Sequence, residues 1–288
     1  MNDFQVSIVI PTFNRKHYLK GAIDSCLRQT VQCEIIVCDH GSSDGTAEFM
    51  SDYYSDSVVY IRKENDYGPH FCWLDGIIHS NGTYVHLQFD DDWIKPTYIE
   101  ECLKLYHHDV GFVFSSAEIF SQIEKTVTNT LFSGFGRTGI YPKGKFERFL
   151  LSSLVSPGAI LIRKDDALDS LYQGRLPLQK ESYHGVGPDY LYSLLPLLRY
   201  KKIGYIKEPL VVFRSHESSI TVNASGSAEK HHSLVLSYDE VRKFYLHMKF
   251  CKIFKIHFFM QIFYPMIYIK KAYLKLPSFL KFSIKKRL

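Results

Sequence analysis

The six cysteines, at positions 26, 33, 38, 72, 102 and 251, form no Cys-x-x-Cys pair and no zinc spacing. A zinc module or a dithiol redox motif is thereby excluded, and free thiols in a reducing, cytosolic setting are expected. Cys33 and Cys38 flank an apolar run and read as core or strand residues. No secretory signal is expected either, because residues 1–5 lead straight into a strand pattern. Nor does a dinucleotide fingerprint follow any clear strand. The glycines at 134–139 (GFGRTG) stand in an irregular region and read as a loop. No apolar run reaches the ~20 residues of a membrane span. The nearest, 256–269, is interrupted by His257, Gln261 and Pro265. Finally, acidic residues are absent from 241–288, which carries twelve Lys/Arg. The remainder holds 23 basic and 30 acidic groups, so an acidic body (net −7) precedes a basic tail in a chain of net charge +5. That asymmetry points to a body handling metal or polar ligands and a tail meeting something anionic.

What is present suffices for a packed core. The chain has 288 residues, 45% of them apolar, enough for one large α/β domain and an appendage. Residues 6–10 are a β-branched run ending at Pro11 and read as a buried strand. Tyr18, Ala22, Ile23, Cys26 and Leu27 recur with helical spacing. Strands are expected at 34–38, 58–62, 83–89 and 110–116, with helices at 44–54, 70–79 and after Pro96. Such alternation implies right-handed crossovers and a mostly parallel sheet with helices on both faces, a doubly wound unit over roughly the first 116 residues. Beyond it, 121–144 is polar and glycine-bearing and reads as a mobile loop over a site. A strand is expected at 158–163, an apolar helix kinked by Pro196 at 190–200, and a pair of strands at 203–207 and 210–213. A polar linker follows at 218–232.

Asp90, Asp91 and Asp92 follow the 83–89 strand directly. Three adjacent carboxylates repel one another unless a cation sits among them. Oxygen ligands of this kind suit Mg²⁺ or Mn²⁺ bridging to substrate phosphates. The competing reading is a solvated acidic turn capping the helix after Pro96. Position favours function, because ligands of open α/β sheets bind beyond the carboxyl ends of the strands. Two other strand ends line up beside the acids. Pro11-Thr12-Phe13-Asn14-Arg15 follows the first, and Asp39-His40-Gly41-Ser42-Ser43-Asp44-Gly45-Thr46 the second. Asp39 can hydrogen-bond a base or ribose, and Gly41 lets backbone approach a ligand. Ser43 or Asp44 can equally cap the next helix.

These segments, together with Ser25-Cys26-Leu27-Arg28-Gln29-Thr30, resemble glycosyltransferase family 2 over roughly residues 6–219. The resemblance implies a GT-A fold, an inverting transferase and a nucleotide-diphosphate sugar donor. It implies a nucleotide-sugar half at 1–116, an acceptor half at 117–220, a linker at 221–240 and a tail at 241–288. It places Pro11, Thr12, Asn14, Arg15, Asp39, His40, Gly41, Asp90 and Asp91 around the nucleotide-sugar. Asp91 matches the principal ligand for Mn²⁺ or Mg²⁺, flanked by Asp90 and Asp92. Phe213-Arg214-Ser215-His216 resembles an Arg-x-His segment whose His216 can reach the metal or diphosphate, or simply be structural. Ser156-Pro157-Gly158 is similar to an acceptor-side segment. The family's acceptor-activating acid corresponds to Asp189 in Gly187-Pro188-Asp189-Tyr190, with Glu181 as rival and a helix cap as the plainer role. Two departures stand out. His40 occupies a position that is usually acidic, and Trp73-Leu74-Asp75 stands where an arginine is expected.

The tail interleaves Lys with Phe, Tyr, Ile and Leu from 244 onward and ends in Lys285-Lys286-Arg287. That pattern fits helices lying on an anionic membrane surface. A hairpin packed on protein competes with it, and nucleic acid is disfavoured because no binding motif accompanies the basic residues. The expected enzyme is a metal-dependent hexosyltransferase at the inner face of the membrane. Its donor is a UDP-sugar, its acceptor a glycan that is lipid-linked, its setting bacterial surface-polysaccharide synthesis. A nucleotidyltransferase and a non-catalytic, membrane- or partner-binding relative are the alternatives.

Overall fold

The computed structural model describes residues 5–150, 153–172, 176, 188–216 and 228–254. The expectations for Glu181, Gly187, residues 217–227 and the tail from 255 onward lie outside the described residues. The chain divides into two units, Met1–Arg242 and Lys243–Leu288.

The first unit is built on one ten-stranded sheet. Its opening half alternates strictly: β1 (Val6–Thr12), α1 (Lys16–Leu27), β2 (Glu34–His40), α2 (Thr46–Tyr54), β3 (Val59–Lys63), α3 (Pro69–His79) and β4 (Tyr84–Leu87). β5 (Trp93–Ile94) and α4 (Tyr98–Lys104) lead to β6 (Val110–Ser121), β7 (Thr126–Leu131) and β8 (Gly139–Pro142). Then come α5 (Lys143–Phe149), β9 (Ile160–Arg163), α6 (Lys164–Ser170), α7 (Leu191–Leu194), α8 (Pro196–Arg199), β10 (Lys202–Ser215) and α9 (Ala228–Ile253). The strand order is β3-β2-β1-β4-β9-β6-β10-β5, with β7 on β6 and β8 on β10. β1 to β4 pair in parallel, and so do β6 and β10; β5, β7, β8 and β9 run the other way.

β1 is apolar on both faces because helices cover both. Val6, Ile8 and Ile10 share a cluster with Leu19, Ala22, Ile23 and Cys26 of α1. Val9 points the other way, to α3, where a Cβ on Gly76 would stand 2.3 Å from Val9 Cγ1 and 2.8 Å from Cys38 Sγ. Only glycine lets that helix approach so closely. The strand order reverses between β1 and β4, which opens a crevice at their carboxyl ends.

Three expectations are corrected. Residues 121–144 are no loose loop: β7 pairs antiparallel with β6, and β8 with β10. β7 is an edge strand exposed almost throughout, so its residues are polar and mimic a loop. The segment is pinned by Phe135, whose ring lies 4.9 Å from that of Tyr205 and 5.2 Å from that of Phe114. The expected pair of strands at 203–207 and 210–213 is one strand, β10. Pro209 lacks a ladder N–H, and the register shifts on either side of it absorb the defect. Residues 228–240, expected as linker, are the first part of α9, where Leu234, Ser237 and Val241 are buried. The Pro196 interruption does divide 190–200 into two short helices. Among the described residues no helix is long and apolar enough to cross a membrane.

The six cysteines are free. Burial pushes the Cys33 and Cys38 thiols up to about 12, so neither is a ready nucleophile.

His86 on β4 is fully buried, with Nδ1 3.0 Å from the Ile160 carbonyl oxygen. Burial lowers its pKa to about 4. Protons therefore bind the unfolded chain more readily between about pH 6.5 and 4. The stability His86 contributes above about pH 6.5, at most ~3 kcal/mol, is lost as pH falls through that window. Urea unfolding at several pH values should give a shallower acid slope for His86→Gln than for the parent. Equal slopes would sink this account.

Candidate active site

The crevice at the β1/β4 reversal is closed by three loops that hold one another. Thr12, the last residue of β1, donates its hydroxyl to Asp90 Oδ2 at 2.9 Å. Two residues on, Asn14 adopts φ 53°, a left-handed conformation that asparagine tolerates. Its N–H reaches Ser42 Oγ at 2.8 Å, and its Oδ1 accepts the Ser43 N–H at 2.8 Å. The loops after β1 and β2 are thus laced together. Asp44 completes the lacing, accepting the Lys16 N–H at 2.9 Å and the Thr46 N–H at 3.2 Å. One carboxylate thereby sits at the N-termini of both α1 and α2, where the helix dipoles favour negative charge. Between the two capping candidates, Asp44 takes the role and Ser43 bonds Asn14.

The expected nucleotide set divides. Pro11, Thr12, Arg15, His40, Asp90 and Asp91 line a cleft of about 740 Å³. Asp39, Asn14 and Gly41 do not. Asp39 is fully buried, with Oδ1 accepting the Ser42 N–H at 2.9 Å and Oδ2 the Tyr60 hydroxyl. Gly41 has φ +85°, and a Cβ there would stand 2.8 Å from the Glu64 carbonyl oxygen, so its glycine answers a backbone crossing. His40 is 2% exposed, and neither ring nitrogen finds a hydrogen-bond partner among the described residues. Its Nε2 lies 3.9 Å from Asp75 Oδ2, too far for a bond. Burial lowers its pKa against the opposing pull of Asp75, so the ring is neutral near pH 7.

The acidic turn forms the floor. Asp90 is buried, and its pKa is raised to about 7. Burial is the chief cause; Asp91 adds to it, and Arg15 opposes it. Asp92 is raised well above the ordinary carboxylate range by burial and by Asp91. Arg15 Nη1 bridges Asp90 Oδ1 at 3.2 Å and Asp91 Oδ2 at 2.9 Å. His216 Nε2 lies 2.9 Å from Asp91 Oδ2. Arg214 donates its backbone N–H to Asp92 Oδ1 at 2.7 Å and its Nε–H to the Asp91 carbonyl oxygen at 2.8 Å.

Negative charge is therefore under-compensated here, which fits a divalent cation. The expected ligands Asp91, Asp92 and His216 nevertheless form no ready-made cage. Among the described residues no three His, Cys, Asp or Glu side chains are grouped to hold a metal ion. One Asp92 oxygen is turned to the Arg214 N–H, and His216 bonds the carboxylate it was expected to assist. Such a floor suits Mg²⁺ or Mn²⁺ held by one or two carboxylates and completed by substrate phosphates.

Asp189 lines the same cleft from a 3-10 turn, Pro188–Tyr190, immediately before α7. Around it the walls are mostly apolar: Phe89, Leu131, Phe132, Leu154, Leu234 and Tyr238. Sequence reasoning missed Leu234 and Tyr238 because α9 was read as linker, although their i, i+4 spacing with buried Val241 nearby was the available signal. His70 and Trp73, on α3 with ring centroids 5.0 Å apart and planes tilted by 59°, were missed as well; burial lowers the His70 pKa to about 4.

Known proteins share the family and the fold. A family model described as glycosyl transferase family 2 matches residues 7–169, more than half of the chain. Glycosyltransferase GlyA of Streptococcus pneumoniae is 30% identical over 105 residues, 35% of this chain and 15% of that protein. A UDP-Glc:alpha-D-GlcNAc-diphosphoundecaprenol beta-1,3-glucosyltransferase of Escherichia coli, WfgD, is 26% identical over 123 residues, 42% of this chain and 49% of that protein. Among solved structures, S. aureus TarS in complex with UDP-GlcNAc superposes with a TM-score of 0.57 at 17% identity, over 75% of this chain and 60% of that one. The matches thus span less than two thirds of these proteins' own lengths. The fold they share is GT-A, mixed α/β with a mostly parallel central sheet.

Proposed function

The chain belongs to glycosyl transferase family 2, and from that premise we propose that it moves a hexose-type sugar from a UDP-sugar to a glycan hydroxyl with inversion. It is related to enzymes of polysaccharide synthesis. The observation that carries the reading is the placement of Asp189 and the acidic turn on one cleft at the β1/β4 reversal.

Residues 1–116 hold the donor in this reading, and 117–220 the acceptor. Pro11, Thr12 and His40 meet the nucleoside, while Asp39, Asn14 and Gly41 shape the loops that present it. Asp91 would hold Mn²⁺ or Mg²⁺, with Asp92 and His216 beside it. When bound, the ion offsets the charge that grows on the departing diphosphate. Asp189 accepts the proton of the acceptor hydroxyl as its oxygen attacks the anomeric carbon. The bond from that carbon to the diphosphate oxygen breaks on the opposite face, and its electron pair leaves with the nucleotide. A lipid-linked acceptor is supported by the twelve Lys/Arg of 241–288 and by the acceptor in the name of WfgD. The same charge supports a peripheral position on the cytoplasmic face of an anionic membrane.

A thermal-shift screen of UDP, GDP, CDP and dTDP, each with and without Mn²⁺, tests the donor site. A ligand bound by the native state alone raises the midpoint by mass action. UDP should do so only with Mn²⁺, and silence from all four would count against the transferase. Asp91→Ala should abolish the UDP shift. Asp189→Asn should leave that shift intact yet lower sugar transfer at least ~100-fold, the usual scale for a general base. Near-normal turnover in that variant would remove Asp189 from the role.

A further inference from the structure

Two guanidinium groups line the cleft, and they are held differently. Arg214 is wedged between the rings of Tyr18 and Trp93, 5.0 Å from each centroid. Its Nε–H and backbone N–H are spent on the acidic turn. Arg15 has no such clamp among the described side chains. A single nitrogen, Nη1, joins it to Asp90 and Asp91, and the side chain is 32% exposed. The imidazoles on the opposite wall, His40 and His70, are kept neutral by burial and bring no fixed charge.

Arg15 therefore stands where a divalent ion would stand, against the outermost carboxylate of the turn. The two cations compete for one oxygen, Asp91 Oδ2, which His216 also touches. A divalent ion brings twice the charge of a guanidinium. Once it engages Asp91, Arg15 loses the shorter of its two carboxylate contacts and offers a planar fork of donors to the cleft. Such a fork matches the oxygens of a diphosphate, which bring negative charge to that spot.

We propose that Arg15 is the resident counter-cation of the acidic turn in the donor-free protein and becomes the clamp on the donor diphosphate when the divalent ion displaces it. The inference rests on the metal-site reading above. It makes metal and nucleotide binding mutually supportive, because the ion releases the group that the diphosphate needs. It also keeps a cation against Asp91 at either stage.

Opposite signs test it. Mn²⁺ binding to the nucleotide-free protein is measured by electron paramagnetic resonance on wild type, Arg15→Gln and Arg15→Lys. Binding of UDP, GDP, CDP and dTDP at saturating Mn²⁺ is measured on the same proteins by calorimetry, with thermal melts to confirm folding. Arg15→Gln should bind Mn²⁺ roughly 10-fold more tightly and the nucleotide roughly 10- to 100-fold more weakly, the scale of one charge-assisted hydrogen bond. Arg15→Lys should hold Mn²⁺ as weakly as wild type and recover part of the nucleotide affinity. If Arg15→Gln weakens Mn²⁺ binding, the arginine organises the turn and does not compete, and the exchange is wrong. Unchanged nucleotide affinity in Arg15→Gln overturns the clamp. No loss of the free Mn²⁺ signal on adding wild type or Arg15→Gln overturns the metal-site reading itself, and the exchange falls with it.

Discussion

Burying Asp90 beneath the end of β1 is the constraint from which the rest of the site follows. An isolated carboxylate taken out of water is costly unless hydrogen-bonded and paired. Here the Thr12 hydroxyl and the Arg15 guanidinium supply the bonds. Thr12 ends β1 and Arg15 follows it, while Asp90 comes from the segment after β4. The carboxylate thus fastens the two segments across the β1/β4 reversal of the strand order. The compensation is incomplete, and its incompleteness is chemically useful. Asp90 and Asp92 stay reluctant to ionise, so the turn has an appetite for positive charge.

The loop after β2 is tied in by a second device. Asn14 and Asp44 spend their side chains on backbone N–H groups of neighbouring loops and helices. These polar residues hold the rim in shape and leave His40 as the imidazole that the β2 loop presents on the cleft wall. Among the described residues its two nitrogens have no hydrogen-bond partner, a rare state for a buried ring. Such a ring is suited to meeting a ligand or a bound water.

The far side of the cleft has a different chemistry. The hairpin of β6 and β7, the 3-10 turn at Pro188–Tyr190 and α9 converge there. Leu131, Phe132, Leu234 and Tyr238 make that wall apolar, with Asp189 set among them. A charged floor facing an apolar wall suits a reaction whose leaving group is anionic and whose nucleophile is a neutral hydroxyl. Electrostatic stabilisation is strongest where walls of this kind exclude water.

The alternating strands and helices up to Ser121 were legible because each carries its own period. β1 reads as an apolar run, and α1 repeats at helical spacing. The acidic turn and the segment at Pro11-Thr12-Phe13-Asn14-Arg15 were legible too, since position after a strand is a local property. What the neighbours do was not. Asp39, Asn14 and Gly41 look like ligand contacts in one dimension; in three they face Ser42 and Tyr60, Ser43, and the Glu64 carbonyl oxygen. β7 passed for a loop because an exposed edge strand is free to be polar, and α9 passed for a linker because its buried residues are few and widely spaced. The sequence by itself determined the order of elements and the acidic side of the cleft, because periodicity and strand-end position are written along the chain. Tertiary structure alone decided that Arg15 stands among the carboxylates and that α9 lines the cleft, because those contacts join residues 75 to more than 100 positions apart.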